Sequence, residues 1–180
     1  MSGHSKWANI KRKKEVTDAK KSKEFSKLSR LISVASREGG PDPDLNPKLR
    51  LAIEKAKYYR MPKENIERAI QKGSGQLGTQ SYVEAVYEGF GPNGEAFYIK
   101  ALTDNPNRTV AEIRNIFNMA GGSLGGAGST SYIFSSDPDN PTFKVDVAAE
   151  QVERLERLLD ELDDHDDIQD IFINFDLPQT

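Results

Sequence analysis

The residues best equipped for chemistry are cations. Lys6, Lys11, Arg12, Lys13 and Lys14 crowd the stretch "GHSKWANIKRKK", which contains one tryptophan, Trp7, and no acid. Lysine and arginine set against phosphates release condensed counterions, which drives binding whatever the base sequence. Trp7 adds a flat ring on which an unpaired base can stack. Lys20, Lys21, Lys23, Lys27 and Arg30 extend the cluster, and with Arg37 they complete a candidate nucleic-acid-binding set. The plain alternative is a solvated arm with Trp7 tucked onto a helix.

Other stretches offer weaker chemistry. "TDNPNRT" puts Asn105, Asn107 and Arg108 at a helix start, where free amides attract anions; this is a candidate anion site or simply a capped loop. "GGSLG" matches a nucleophile pattern at Ser123, but that pattern needs a strand before the serine and a helix after it. Here a helix precedes and a strand follows, so no catalytic residue is assigned. The run "DELDDHDDIQD" lacks the spacing of a calcium loop and reads as a solvated acidic helix end. No cofactor and no metal site are expected. With no cysteine in the chain, thiol chemistry and disulfides are excluded.

The elements that must position these residues follow from periodicity. Phe25, Leu28, Leu31, Ile32 and Ala35 share one face of a helix over about 17–38, which leaves Lys20, Lys23, Lys27, Arg30 and Arg37 as a basic stripe toward solvent. Helices over 47–59 and from Pro62 to Gly73 supply Leu49, Ala52, Ile53, Ala56, Tyr59, Ile66, Ala69 and Ile70. The junction of these two helices resembles a helix-turn-helix, with Lys63, Asn65 and Arg68 outward. "YVEAVYEGF" and "EAFYIKAL" read as strands around "GPNG". A helix with a Thr109/Glu112 capping box follows. "STSYIF" and "TFKVDV" read as strands around "SSDPDNP", then come a helix over about 148–162 and a last strand, "DIQDIFINF".

This pattern predicts an α+β protein: a basic arm over 1–16, a helical domain over 17–75, a linker over 76–82, and a ferredoxin-like sandwich over 83–180. "YVEAVYEGF" is expected as its extra edge strand. Charge divides the same way. Residues 1–75 hold 19 Lys and Arg against 9 Asp and Glu, net +10, and residues 76–180 hold 6 against 19, net −13. A basic half suits a polyanion, and the acidic domain is a candidate protein-contacting surface. No apolar run approaches the length of a membrane span.

Taken together, "GHSKWANIK", "REGGPDPDLNPKLRLAIEKAK", "MPKENIERAIQKG", "YEGFGPNG", "LTDNPNRTVAEIR" and "GGSLGGAGS" resemble the YebC/PmpR family, which includes the mitochondrial translational activator of cytochrome c oxidase subunit I. The resemblance runs through nearly the whole chain. It departs at residues 135–141, a short hairpin tip where family members carry a further small inserted domain.

The resemblance implies a cytoplasmic or organellar factor without catalytic activity, and the cytoplasm is the expected location. It implies either a ribosome-associated translation factor contacting rRNA or tRNA, which is favoured here, or a regulator of transcription bound to double-stranded DNA. Lys6, Trp7, Lys11, Lys13 and Lys20 match the family's positions, and Arg12 stands where many relatives have histidine. A third reading, from another class, is a protein-interaction module docking an acidic partner.

Overall fold

The computed structural model describes residues 18–77 and 81–178. They form two compact units that meet in sequence between residues 83 and 84. The first is a three-helix unit of α1 (Asp18–Gly39), α2 (Pro47–Tyr58) and α3 (Lys63–Gly73). Each helix carries one apolar stripe and cannot bury it alone. Leu28, Ile32 and Ala35 of α1 meet Leu49, Ala52, Ile53 and Ala56 of α2 and Ile66 and Ala69 of α3, with Met61 between the last two.

The α1–α2 connection is built around Asn46, a polar side chain only 4% exposed. Its Oδ1 accepts from the Leu49 amide at 3.1 Å, capping α2, and its Nδ2 donates to the carbonyls of Ala35 and Gly40, each at 2.8 Å. The chain reaches this position through Gly40, whose φ of 90° is costly for any residue with a Cβ. Gly73 ends α3 so close to α1 that a Cβ there would strike the Ser33 carbonyl. Pro62 stands just before α3, at its N-cap, rather than at its first helical position.

The second unit is a sheet of β1 (Val83–Phe90), β2 (Ala96–Thr103), β3 (Ser123–Gly125) and β4 (Ile168–Ile173), in the order β3-β1-β2-β4. With α4 (Pro106–Met119), α5 (Ser131–Phe134) and α6 (Val152–Asp164) it makes the mixed α+β class that the sequence predicts. Strands β2 and β4 are antiparallel, with Phe97 opposite Ile173 and Ile99 opposite Ile171, and the register shifts after Lys100. Phe97, Ile99 and Ile171 face α4 and α6, where they pack with Ile113, Phe117, Leu155, Leu158, Leu159 and Leu162. Phe97 meets Phe117 and Phe175 edge-on at 5.3 and 5.5 Å. Ala96 and Phe172, on the opposite face, are covered by Ile133 and Phe134 of α5.

Several expected elements differ. "YVEAVYEGF" is no edge, because β1 lies between β3 and β2. "STSYIF" forms the short helix α5: the Glu88 carboxylate captures the Gly128, Thr130 and Ser131 amides before a ladder can use them. "TFKVDV" forms no strand beyond one parallel bridge, Val145 to Phe175. Val145 and Val147 instead pack on the sheet core, so their alternation is satisfied without pairing. Residues 135–141 are accordingly not a hairpin tip between strands.

Two substitutions in the helical unit should act in opposite directions. Asn46→Ala is expected to cost about 2 kcal/mol, because it removes a helix cap and leaves buried carbonyls without their donor. Arg60 follows α2 with a φ of 60°. Arg60→Gly relieves that left-handed backbone and is expected to stabilise by up to about 1 kcal/mol. Denaturant midpoints of the two variants check both.

Candidate nucleic-acid interface

Lys6, Trp7, Lys11, Arg12, Lys13 and Lys14 lie outside the described residues. The remaining candidates sit on α1, but they do not form the continuous solvent stripe expected from the helical wheel. Lys20 and Lys23 are half-buried and Lys21 is exposed. Lys27 is only 6% exposed, and Val34, on the same flank, is 2% exposed. That flank of α1 is therefore covered along part of its length.

Arg30 and Arg37 also have structural work. The Arg30 guanidinium lies 4.9 Å from the centre of the Tyr82 ring. Arg37 Nη2 donates to the Tyr82 carbonyl at 2.7 Å. Together they hold Tyr82 against α1. Exposed cations also stand elsewhere in the unit: Lys48, Arg50 and Lys57 on α2, Arg60 beyond it, and Lys63, Arg68 and Lys72 on α3. Sequence reading placed Lys63 and Arg68 outward and assigned nothing to the others.

The "TDNPNRT" loop presents carboxylates as well as a cation. Asn105 caps α4 by accepting from the Arg108 amide at 3.1 Å. Arg108 Nη2 donates to Asp167 at 2.9 Å and to Asp104 at 3.0 Å. The hydrogen bond to Asp167, then that to Asp104, holds the guanidinium more firmly protonated than usual. Asn107 is exposed. Thr109 does not form the expected capping box with Glu112. Its hydroxyl donates to Asp167 at 2.7 Å and also meets the Thr103 hydroxyl at 2.7 Å.

His165 and Asp167 are likewise not a solvated helix end. The Asp167 amide donates to His165 Nδ1 at 3.1 Å, so the neutral ring carries its proton on Nε2, which faces Glu112 at 2.7 Å. Glu112, His165 and Asp167 bring ligand-type atoms within 4.8 Å of one another. The Asp167 oxygen in this cluster is already engaged by Arg108 and Thr109. Burial, then the Asp167 charge, pushes the nearby Tyr87 hydroxyl above its ordinary pKa.

Sequence reading missed Glu88, a heavily bonded acid of the second unit. One oxygen accepts from the Thr130 amide at 2.9 Å, the Ser131 amide at 2.5 Å and the Thr130 hydroxyl at 3.3 Å; the other accepts from the Gly128 amide at 2.6 Å. Burial alone would raise its pKa, but these donors together outweigh burial and hold the carboxyl below the usual range. The available signal was an acid in a strand, "YEGF", followed by a glycine-rich loop needing an anion. Ser123, in that loop's approach, is exposed on β3.

The fold thus defines an α+β protein with a cation-bearing helical unit joined to a sheet unit in which Glu88 and Asp167 serve its own loops. The chain belongs to the TACO1/YebC family: residues 5–76 match the TACO1/YebC protein N-terminal domain, and residues 82–138 match the TACO1/YebC second and third domain. It is 60% identical over 134 residues to a "Probable transcriptional regulatory protein" of Thermoanaerobacter pseudethanolicus, covering 74% of this chain and 54% of that one. A protein of the same description from Thermotoga petrophila is also 60% identical over 134 residues, covering 74% and 53%. The chain spans about half the length of the curated relatives it matches. The crystal structure of a conserved hypothetical protein, Aq1575 from Aquifex aeolicus, superimposes with a TM-score of 0.85 at 34% identity, covering 98% of both chains.

Two measurements test these assignments. Glu88 contributes stability that is complete above the ordinary glutamate pKa of about 4.3 and is lost as pH falls through its lower folded value. Melting temperature should therefore drop on acidification, and Glu88→Gln should lower stability near neutrality while flattening that acid limb. Arg108→Ala should lower the melting temperature yet leave nucleic-acid affinity within about twofold, because its guanidinium serves Asp104 and Asp167; each lost charged hydrogen bond is worth about 1.5–3 kcal/mol at most, less at this exposed site.

Proposed function

We propose that the chain is a nucleic-acid-binding regulator of gene expression that uses its helical unit and the preceding basic stretch to bind RNA on the ribosome, rRNA or tRNA. The observation that carries this reading is the charge division: net +10 over residues 1–75 against −13 over residues 76–180. A polyanion is attracted to the first part and repelled by the second, which favours contact by the helical unit over a long duplex laid across the whole chain. Irregular RNA, with unpaired bases and accessible phosphates, suits such a contact. On this reading the acidic unit contacts protein or sets geometry, no step of catalysis is involved, and the factor works in the cytoplasm. No helix among the described residues is long and apolar enough to cross a membrane.

A second reading is regulation of transcription through double-stranded DNA; relatives named probable transcriptional regulatory protein support its transcriptional part. Binding of the full chain to structured RNA and to duplex DNA, measured at several salt concentrations, separates the two. On the first reading RNA binds more tightly, and the logarithm of its affinity falls with the logarithm of salt at about 0.7 per phosphate contact on single strands. Replacing Lys11, Arg12, Lys13 and Lys14 by alanine should flatten that slope by up to about four contacts. Trp7→Ala should cost roughly 1–3 kcal/mol with the slope unchanged. A salt-independent affinity would overturn both readings; tighter binding to duplex DNA would favour the second.

A further inference from the structure

The outward face of α2 carries apolar residues that the core does not explain. Leu49, Ala52, Ile53 and Ala56 define its inner face. At 100° per residue, Leu51 and Tyr58 stand on the opposite side, and they are 65% and 66% exposed. Cations flank this ridge on both sides, Lys48 and Lys55 along one edge and Arg50 and Lys57 along the other, with Arg60 just beyond. Residues 47–60 contain these five cations and one acid, Glu54, which is exposed on the same outer face between the ridge and the Arg50–Lys57 edge. Lys48 pairs with Glu38 at 2.5 Å, and Arg50 donates to the carbonyls of Pro43 and Asp44 at 3.2 and 3.0 Å. The cations nearest Tyr58 in sequence are thus Lys55, Lys57 and Arg60. Tyr59 packs against the core and meets Tyr58 edge-on at 5.5 Å and 82°, which braces the outer ring.

We propose that this face is a platform for single-stranded RNA, in which Tyr58 stacks on an unpaired base while Lys55, Lys57 and Arg60 take the neighbouring phosphates. The proposal rests on the nucleic-acid reading above and adds a site on α2, away from the basic stretch and α1. Scattered exposed apolar residues are ordinary. An aromatic between two rows of cations is the arrangement that single-strand surfaces use, because every base has a face to stack and every linkage a charge to meet. A base needs only a flat ring, which Tyr58 presents. Bases within a duplex are already stacked, so the platform selects unpaired strands.

The test uses the full chain with a fluorescent single-stranded oligouridine RNA and a duplex DNA of equal length, across several salt concentrations. Tyr58→Ala should weaken the single strand about 5- to 150-fold, the range expected for one stacked base, with an unchanged salt slope and unchanged duplex affinity. Tyr58→Phe should bind as the parent does. Lys55→Ala with Lys57→Ala should flatten the salt slope by up to about two contacts. Photocrosslinking of 5-iodouridine RNA to the unsubstituted chain, read by mass spectrometry, should place an adduct on Tyr58 and does not depend on any variant folding. The platform is overturned if Tyr58→Ala binds the single strand as tightly as the parent, if it weakens single strand and duplex alike, or if adducts form only elsewhere. Failure of the unsubstituted chain to bind either nucleic acid removes the parent reading itself, a different result from binding that ignores Tyr58.

Discussion

A carboxylate enclosed by donors organises the sheet unit. Glu88 sits on β1, and its two oxygens collect three backbone amides and a hydroxyl from a loop some forty residues later. A buried charge without partners is prohibitive, and backbone amides without acceptors are costly too, so the two problems solve each other. The result fixes where the loop turns, starts α5 at Ser131, and delivers Ile133 and Phe134 to the second face of the sheet. On the first face, Gly89, the next residue of β1, lets Phe117 approach so closely that a Cβ would lie 2.7 Å from its ring. Adjacent residues of one strand thus serve both layers.

Helices were legible in the sequence wherever the apolar period ran for three turns or more. Leu28, Ile32 and Ala35, Ile113 and Phe117, and Leu155, Leu159 and Leu162 all face the cores that their spacing predicts. What escaped depended on partners distant in sequence. The alternation of "STSYIF" was short, and Glu88 decided its conformation from 42 residues away. Thr109 and Glu112 matched a local capping pattern, but Asp167, 58 residues on, took the threonine hydroxyl, and Asn105 did the capping. In the candidate interface the cations of α1 were legible as charges. The cover over Lys27 was not, nor was the use of Arg30 and Arg37 to hold Tyr82. Tyr58 escaped because reading for a buried stripe discards whatever faces outward.

The two units use charge differently. Some acids of the sheet unit are turned inward or locally paired, Glu88 under amides, Asp167 with Arg108 and Thr109, Asp176 with Lys144, while others, such as Asp160, Glu161 and Asp166, are exposed. In the helical unit most of the lysines and arginines of α2 and α3 stay at the surface. Internal pairing neutralises charge where it is used as scaffold, and exposure preserves it where a polyanion can reach it. The family motifs "GGPDPDLNP" and "GGSLGGAGS" are explained by Asn46 and Glu88 as architecture.

The contacts of Tyr82 have a consequence for the glycine-rich stretch after α3. The last turn of α3 is continued by the Gln76 amide bonded to the Gln71 carbonyl. Tyr82 is tied back to α1 by Arg37 and Arg30. Gln76 and Tyr82 are therefore both anchored to the same unit. Closing a loop costs entropy that grows only logarithmically with length, about 0.6 kcal/mol per doubling. Residues added between these two anchors would come at small cost to the helical unit.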